Sequence, residues 1–194
     1  MGGLAINGLK FLSTISLHIY VNTMHYMPNI TARYYQRALN ELNSVYKRGG
    51  FDLTKIRCDH EFQAALDSIV EKINPPIKVN YANTQEHVFQ AERNNWCIKE
   101  HFIPVYHRLL FDQLPRKMVQ YLGLESARKP NIFPEKHGVP KYYSPRMIVC
   151  QENVDYEKHL KITFGTHVLV NKKTKTHEYE CTKKFGLRIS EIYR

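Results

Sequence analysis

Apolar and polar residues alternate with the two-residue period of a strand from the start of the chain. "LAI" (4–6) and "LKFLSTIS" (9–16) flank Asn7-Gly8, a dipeptide suited to the positive φ angles of a tight hairpin turn. "HIYVNTMHYM" (18–27) continues as a third strand, so an antiparallel meander is predicted over residues 4–27. Pro28 and Asn29 break that pattern, and Asn29 or Thr31 is placed to cap a helix. Tyr35, Ala38, Leu39, Leu42 and Tyr46 then recur at helical spacing until Gly49-Gly50.

"DLTKIRC" (52–58) reads as a short strand, and Phe62, Ala65, Leu66, Ile69, Val70 and Ile73 as the apolar stripe of a helix. Pro75-Pro76 ends that helix, and "IKVNY" (77–81) is another strand. A third helix is predicted from Val88 to Ile103, stopped at Pro104, and a fourth from Pro115 to Ala127. Pro130, Pro134, Pro140 and Pro145 make 128–150 an extended connection, after which "ITFGTHVLVNKK" predicts a small β extension. The expected fold class is α/β: a mixed sheet, antiparallel meander first and alternating helix and strand afterwards, flanked by helices.

Composition narrows the partners. At 194 residues, 43% of them hydrophobic, the chain suits one domain or one domain with an appendage. The net charge of +10 favours a polyanion, with nucleic acid the commonest, although a basic surface that binds nothing gives the same count. The excess thickens in "NKKTKTHEYECTKK" near the end. Cys58, Cys97, Cys150 and Cys181 are far apart, and no C-x-x-C or finger-like His spacing accompanies them, so free thiols in a reducing compartment are expected. No apolar run approaches bilayer length and the first residues lack a signal-peptide layout, so the expectation is intracellular, without a membrane partner.

The candidate chemistry lies in two acids. Asp59, in "KIRCDHEF" (55–62), comes directly after a strand, and Glu92, in "TQEHVFQAERNNW" (84–96), lies near the start of a helix. On that helix Glu92, Asn95, Trp96 and Lys99 share one face, and Ala91, Ile98, Phe102 and Val105 another. Carboxylates converging on hard divalent cations are what two-metal phosphodiester chemistry requires. Plainer roles compete: Asp59 as the N-cap of the next helix, Glu92 as a first-turn residue favoured by the helix dipole. Asp52, Glu61 and Asp67 have no better claim. No Gly-rich phosphate loop, nucleophile elbow or HExxH occurs.

The order "FLSTIS", "KIRCDHEF", "NYANTQEHVFQAERNNWCIKE", "YYSPRMIV" and "FGTHVLV" resembles the integrase of copia-type retrotransposons over about residues 4–170. The resemblance implies a ribonuclease H-like catalytic core over 1–127, truncated at its first strand, and a post-core connection with a small β extension over 128–194. It implies DNA integration by metal-dependent polynucleotidyl transfer, with Mg²⁺ or Mn²⁺, DNA as partner, self-association and a nuclear location. By the same resemblance "IRCDHEF" gives Asp59 the role of the second catalytic and metal-binding Asp, and "EHVFQAERNN" gives Glu92 that of the Glu; 32 residues separate them. Arg93 and Lys99 are then DNA-binding candidates, and Trp96 a base-stacking or packing residue. The family's first Asp falls at or near Gly2, where no acid stands. Impaired strand transfer is therefore expected. Alternatives are a non-catalytic nucleic-acid-binding remnant and an interaction domain on the same fold.

Overall fold

The computed structural model describes residues 1–70, 73, 76–82, 88–136, 142–169 and 185–187. β1 (Gly2–Ile6) pairs antiparallel with β2 (Leu9–Ile15), and β2 with β3 (Asn22–Tyr26), which is the predicted meander. Asn7 and Gly8 take φ of 46° and 73° in the connecting turn, the geometry for which that dipeptide is suited. The third strand begins at Asn22 rather than His18. Ser16 is the reason: its hydroxyl accepts the Val21 N–H at 2.9 Å, and its own N–H donates to the Val21 carbonyl at 3.1 Å, closing a local turn that competes with the ladder.

Alternation along the strands creates two cores. Leu4, Ile6, Leu9, Phe11 and Met24 face α3 (Phe89–Arg108) and α4 (Arg116–Arg128), which contribute Ile98, Phe102, Met118, Val119 and Leu122. Leu12 points the other way, toward Tyr35, Leu39 and Leu42 of α1 (Ala32–Arg48). Ile56 and Cys58 of β4 (Lys55–Cys58) join this second core, and β4 pairs in parallel with β5 (Lys78–Tyr81). The main-chain nitrogen of Met1 donates to the Arg57 carbonyl at 2.8 Å, so the start of β1 lies against β4. The result is a mixed α/β arrangement with helices on both faces. Fully buried residues such as Leu39, Leu66 and Leu122 each contribute about 1.5–3 kcal/mol of burial energy.

Three further predicted elements differ. The stripe from Phe62 to Ile73 buries Phe62, Leu66, Ile69 and Ile73 as expected, but among the described residues the regular α-helix there is only α2 (Gln63–Leu66), preceded by a 3₁₀ turn at His60–Phe62. Pro104 does not stop α3, which continues to Arg108. A proline inside a helix costs about 3 kcal/mol, which is opposed here by the packing of Phe102, Val105 and Tyr106 into the α3/α4 core. The stretch after α4 is not simply extended: a 3₁₀ turn at Lys129–Ile132 and α5 (Pro145–Cys150) lie within it. Ser144 caps α5 by accepting the Met147 N–H at 3.2 Å, and Pro145 occupies the first helical position, where its missing donor is not needed.

α6 (Tyr156–Leu160) comes next, and β6 (His167–Leu169) pairs antiparallel with β7 (Phe185–Leu187). Val170 and the basic stretch 171–184 lie outside the described residues. Cys58, Cys97 and Cys150 are unpaired, and Cys181 lies outside the described residues. Among the described residues no helix is long and apolar enough to cross a membrane.

Candidate functional site

Asp59 directly succeeds β4 and occupies the N-cap position of the 3₁₀ turn, yet its side chain makes no cap there. Its Oδ1 instead accepts the Val88 N–H at 3.0 Å, from a residue 29 positions later. Val88 is the N-cap of α3, and the Glu92 N–H donates to the Val88 carbonyl at 3.1 Å. The Asp59 carboxylate thus rests on the N-terminal end of α3, where open N–H groups and the helix dipole favour negative charge. Glu92 sits one turn in, about 6 Å along the axis. Two acids remote in sequence share one end of one helix, Asp59 half-buried and Glu92 exposed.

The docking of α3 on β1 has its own polar clip. The Asn95 amide donates to the Gly3 carbonyl at 2.9 Å, and the Ser13 hydroxyl donates to Asn95 Oδ1 at 2.5 Å while lying 3.2 Å from the Gly2 carbonyl. A Cβ on Gly2 would stand 3.1 Å from Ala91 Cβ and 3.4 Å from Asn95 Nδ2, so the close approach of helix to strand uses the absence of a side chain. Asn95 therefore belongs to the β1 contact rather than to a ligand-facing side shared with Glu92, Trp96 and Lys99. The clip had one visible signal, Ser13, a polar residue at an inward position of β2.

The remaining acids fall elsewhere. A Cβ on Gly3 would face Glu61 Oε1 at 3.5 Å, on the opposite side of β1 from Ala91, so Glu61 does not join Glu92. Asp67 accepts the Tyr81 hydroxyl at 2.5 Å, and Asp52 is exposed. Arg93 and Lys99 are exposed on α3, and Trp96 projects into solvent at 60% exposure rather than packing inward. Burial pushes the thiol of Cys58, next to Asp59, up to about 11, which keeps it a neutral core residue.

The donor set has a clear chemical meaning. A pair of divalent ions needs a bridging carboxylate and several further oxygens. Asp59 has one oxygen engaged by Val88, Gly2 offers no carboxylate, and among the described residues no group of three His, Cys, Asp or Glu side chains is placed to hold a metal. These residues do not fit a two-metal centre.

No family model matches the chain, and no curated protein matches it. Among solved structures, the catalytic core domain of HTLV-2 integrase, in complex with magnesium and in a trimeric form, is similar over 76% of this chain and 93% of that one, with 16% identity and a TM-score of 0.48.

Proposed function

We propose that the chain is an integrase-like catalytic core of retrotransposon origin, ribonuclease H-like in its sheet order, that binds DNA. The observation supporting this is the hydrogen bond by which Asp59 accepts the Val88 N–H, at the N-terminal end of the helix whose first turn carries Glu92. In this reading both acids would hold at most a single Mg²⁺ or Mn²⁺ ion rather than a pair, and Arg93 and Lys99 contact phosphates. Such contacts set affinity and its salt dependence rather than sequence choice. Strand transfer is weak or lost, because the position near Gly2 supplies no third carboxylate and Ala91 crowds it.

The test is duplex-DNA binding by fluorescence anisotropy over a salt series, beside a strand-transfer assay with Mg²⁺ or Mn²⁺. Salt-sensitive binding is expected, with Lys99→Ala and Arg93→Ala each lowering the slope of log K against log salt by about 1. No joined product is expected. Salt-independent or absent binding removes the DNA reading, and efficient strand transfer removes the claim of impairment. A nucleic-acid-binding remnant without metal chemistry is the second reading, favoured by the same incomplete donor set; a divalent-cation response that survives in Asp59→Asn supports it.

A further inference from the structure

We propose that the stretch after α4 carries a binding site for single-stranded nucleic acid, in which an unpaired base stacks on Phe133 and Tyr156 while Arg146 and Lys158 hold its phosphate. The two rings come from different elements, Phe133 from just after the 3₁₀ turn at Lys129–Ile132 and Tyr156 from the start of α6. Their centroids are 6.1 Å apart and their planes 32° from parallel, a tilted pair whose stack a planar base can extend. The rings remain 48% and 45% exposed, and neither belongs to either core. No residue of α3 takes part, so the site does not rest on the function proposed above.

Positive charge gathers beside the rings. At about 100° per residue Tyr156 and His159 lie on one side of α6, and Glu157 is turned about 160° away from His159. Burial holds His159 below the usual histidine range, and Arg146 of α5, Arg128 at the end of α4 and neighbouring Lys158 press in the same direction, opposed by Asp155. Three cations from three helices thus crowd one ring. The acids beside them are already engaged: Asp155 Oδ1 accepts the Lys158 N–H at 3.0 Å, and Glu125 holds Arg128 through contacts of 2.9 and 3.1 Å. Among the described residues the side chains of Arg146 and Lys158 make no hydrogen bond or ion pair. A bound phosphate relieves that repulsion. Duplex DNA offers phosphates but hides the faces of its bases, and an acidic peptide offers charge without a flat ring. An unpaired strand offers both.

The test is fluorescence anisotropy with labelled single strands of about 12 nucleotides, one of deoxyuridine and one of uridine, beside a duplex of the same length. Tyr156→Ala and Phe133→Ala are each expected to weaken single-strand binding about tenfold and to leave duplex binding within about twofold. Tyr156→Phe keeps the ring and is expected to stay within about threefold of the wild type. Arg146→Ala is expected to lower the slope of log K against log salt for the single strand by about 0.7. The two strands differ only at the sugar, so tighter binding of the uridine strand assigns the site to RNA and tighter binding of the other to DNA. An iodouracil-substituted strand irradiated with the wild-type protein, which needs no variant to fold, should cross-link to Phe133 or Tyr156. Alanine variants that bind single strands as the wild type does overturn the proposal, as do variants that lose duplex and single strand alike. Cross-links confined to α3 also overturn it. So does competition by polyglutamate as strong as that by an unlabelled strand, which assigns the face to an acidic peptide. Absent duplex binding removes the function proposed above and leaves this site standing.

Discussion

Replacing Asp59 by alanine and by asparagine separates its hydrogen bond from its charge. The bond to the Val88 N–H, 3.0 Å long and half-buried, fixes the entry of α3 against the end of β4. A hydrogen bond to an ionised acceptor is worth about 1.5–3 kcal/mol, and partial exposure brings this nearer 1–2 kcal/mol. Asp59→Ala is expected to lower unfolding free energy by that amount in urea titrations. Asp59→Asn keeps an oxygen acceptor at the same place and is expected to cost about 0.5 kcal/mol, mainly the lost interaction with the helix dipole. Amide hydrogen exchange locates the effect: alanine should expose Val88 and the first turn of α3, leaving Phe62 and Gln63 unchanged. Under the proposed function, a divalent cation at ten times its Kd would stabilise the wild-type fold by about 1.4 kcal/mol, and this increment should vanish in Asp59→Asn. An alanine variant as stable as the wild type, with Val88 protection intact, would refute the role of this bond. Loss of protection confined to residues 60–63 would make Asp59 an ordinary cap of its own 3₁₀ turn.

Gly2→Asp is expected to destabilise by about 1–3 kcal/mol through the clash with Ala91, and the added Ala91→Gly change to recover part of this; urea midpoints of the single and double variants check it. Asn131→Ala removes two reciprocal bonds of 2.7 Å to the Asn22 main chain, an expected loss of about 2 kcal/mol in the same titration. His25 is held below the usual histidine range by burial, against the opposing pull of Glu41 at 3.1 Å. Its folded-state pKa being lower than its unfolded one, its contribution is present above about pH 6.5 and is lost as pH falls below that value. Urea midpoints at pH 5 and pH 8 should therefore differ more for the wild type than for His25→Gln.

Elements are legible in the chain where the interactions that form them are local. Asn7-Gly8 specifies its turn without help, and the periodicity of Tyr35 to Tyr46 specifies both α1 and the side it buries. Pro104 misleads because its penalty is local while the packing that opposes it is tertiary. The short α2 misleads for the reverse reason, since burial of Phe62 to Ile73 needs only the stripe and not a continuous hydrogen-bond ladder. The candidate site was legible as residue types, but its joining contact was not. Asp59 before a helix reads as a cap for that helix, and only folding brings Val88 to it instead. The same holds for Gly2, which in sequence is only the place where the resemblance would put a carboxylate. In the fold its hydrogen fills the space between β1 and Ala91, so adding back the acid requires the helix to move as well. A third carboxylate at that position is thus opposed by packing, independently of any metal, and restoring the donor set requires changing α3 together with β1.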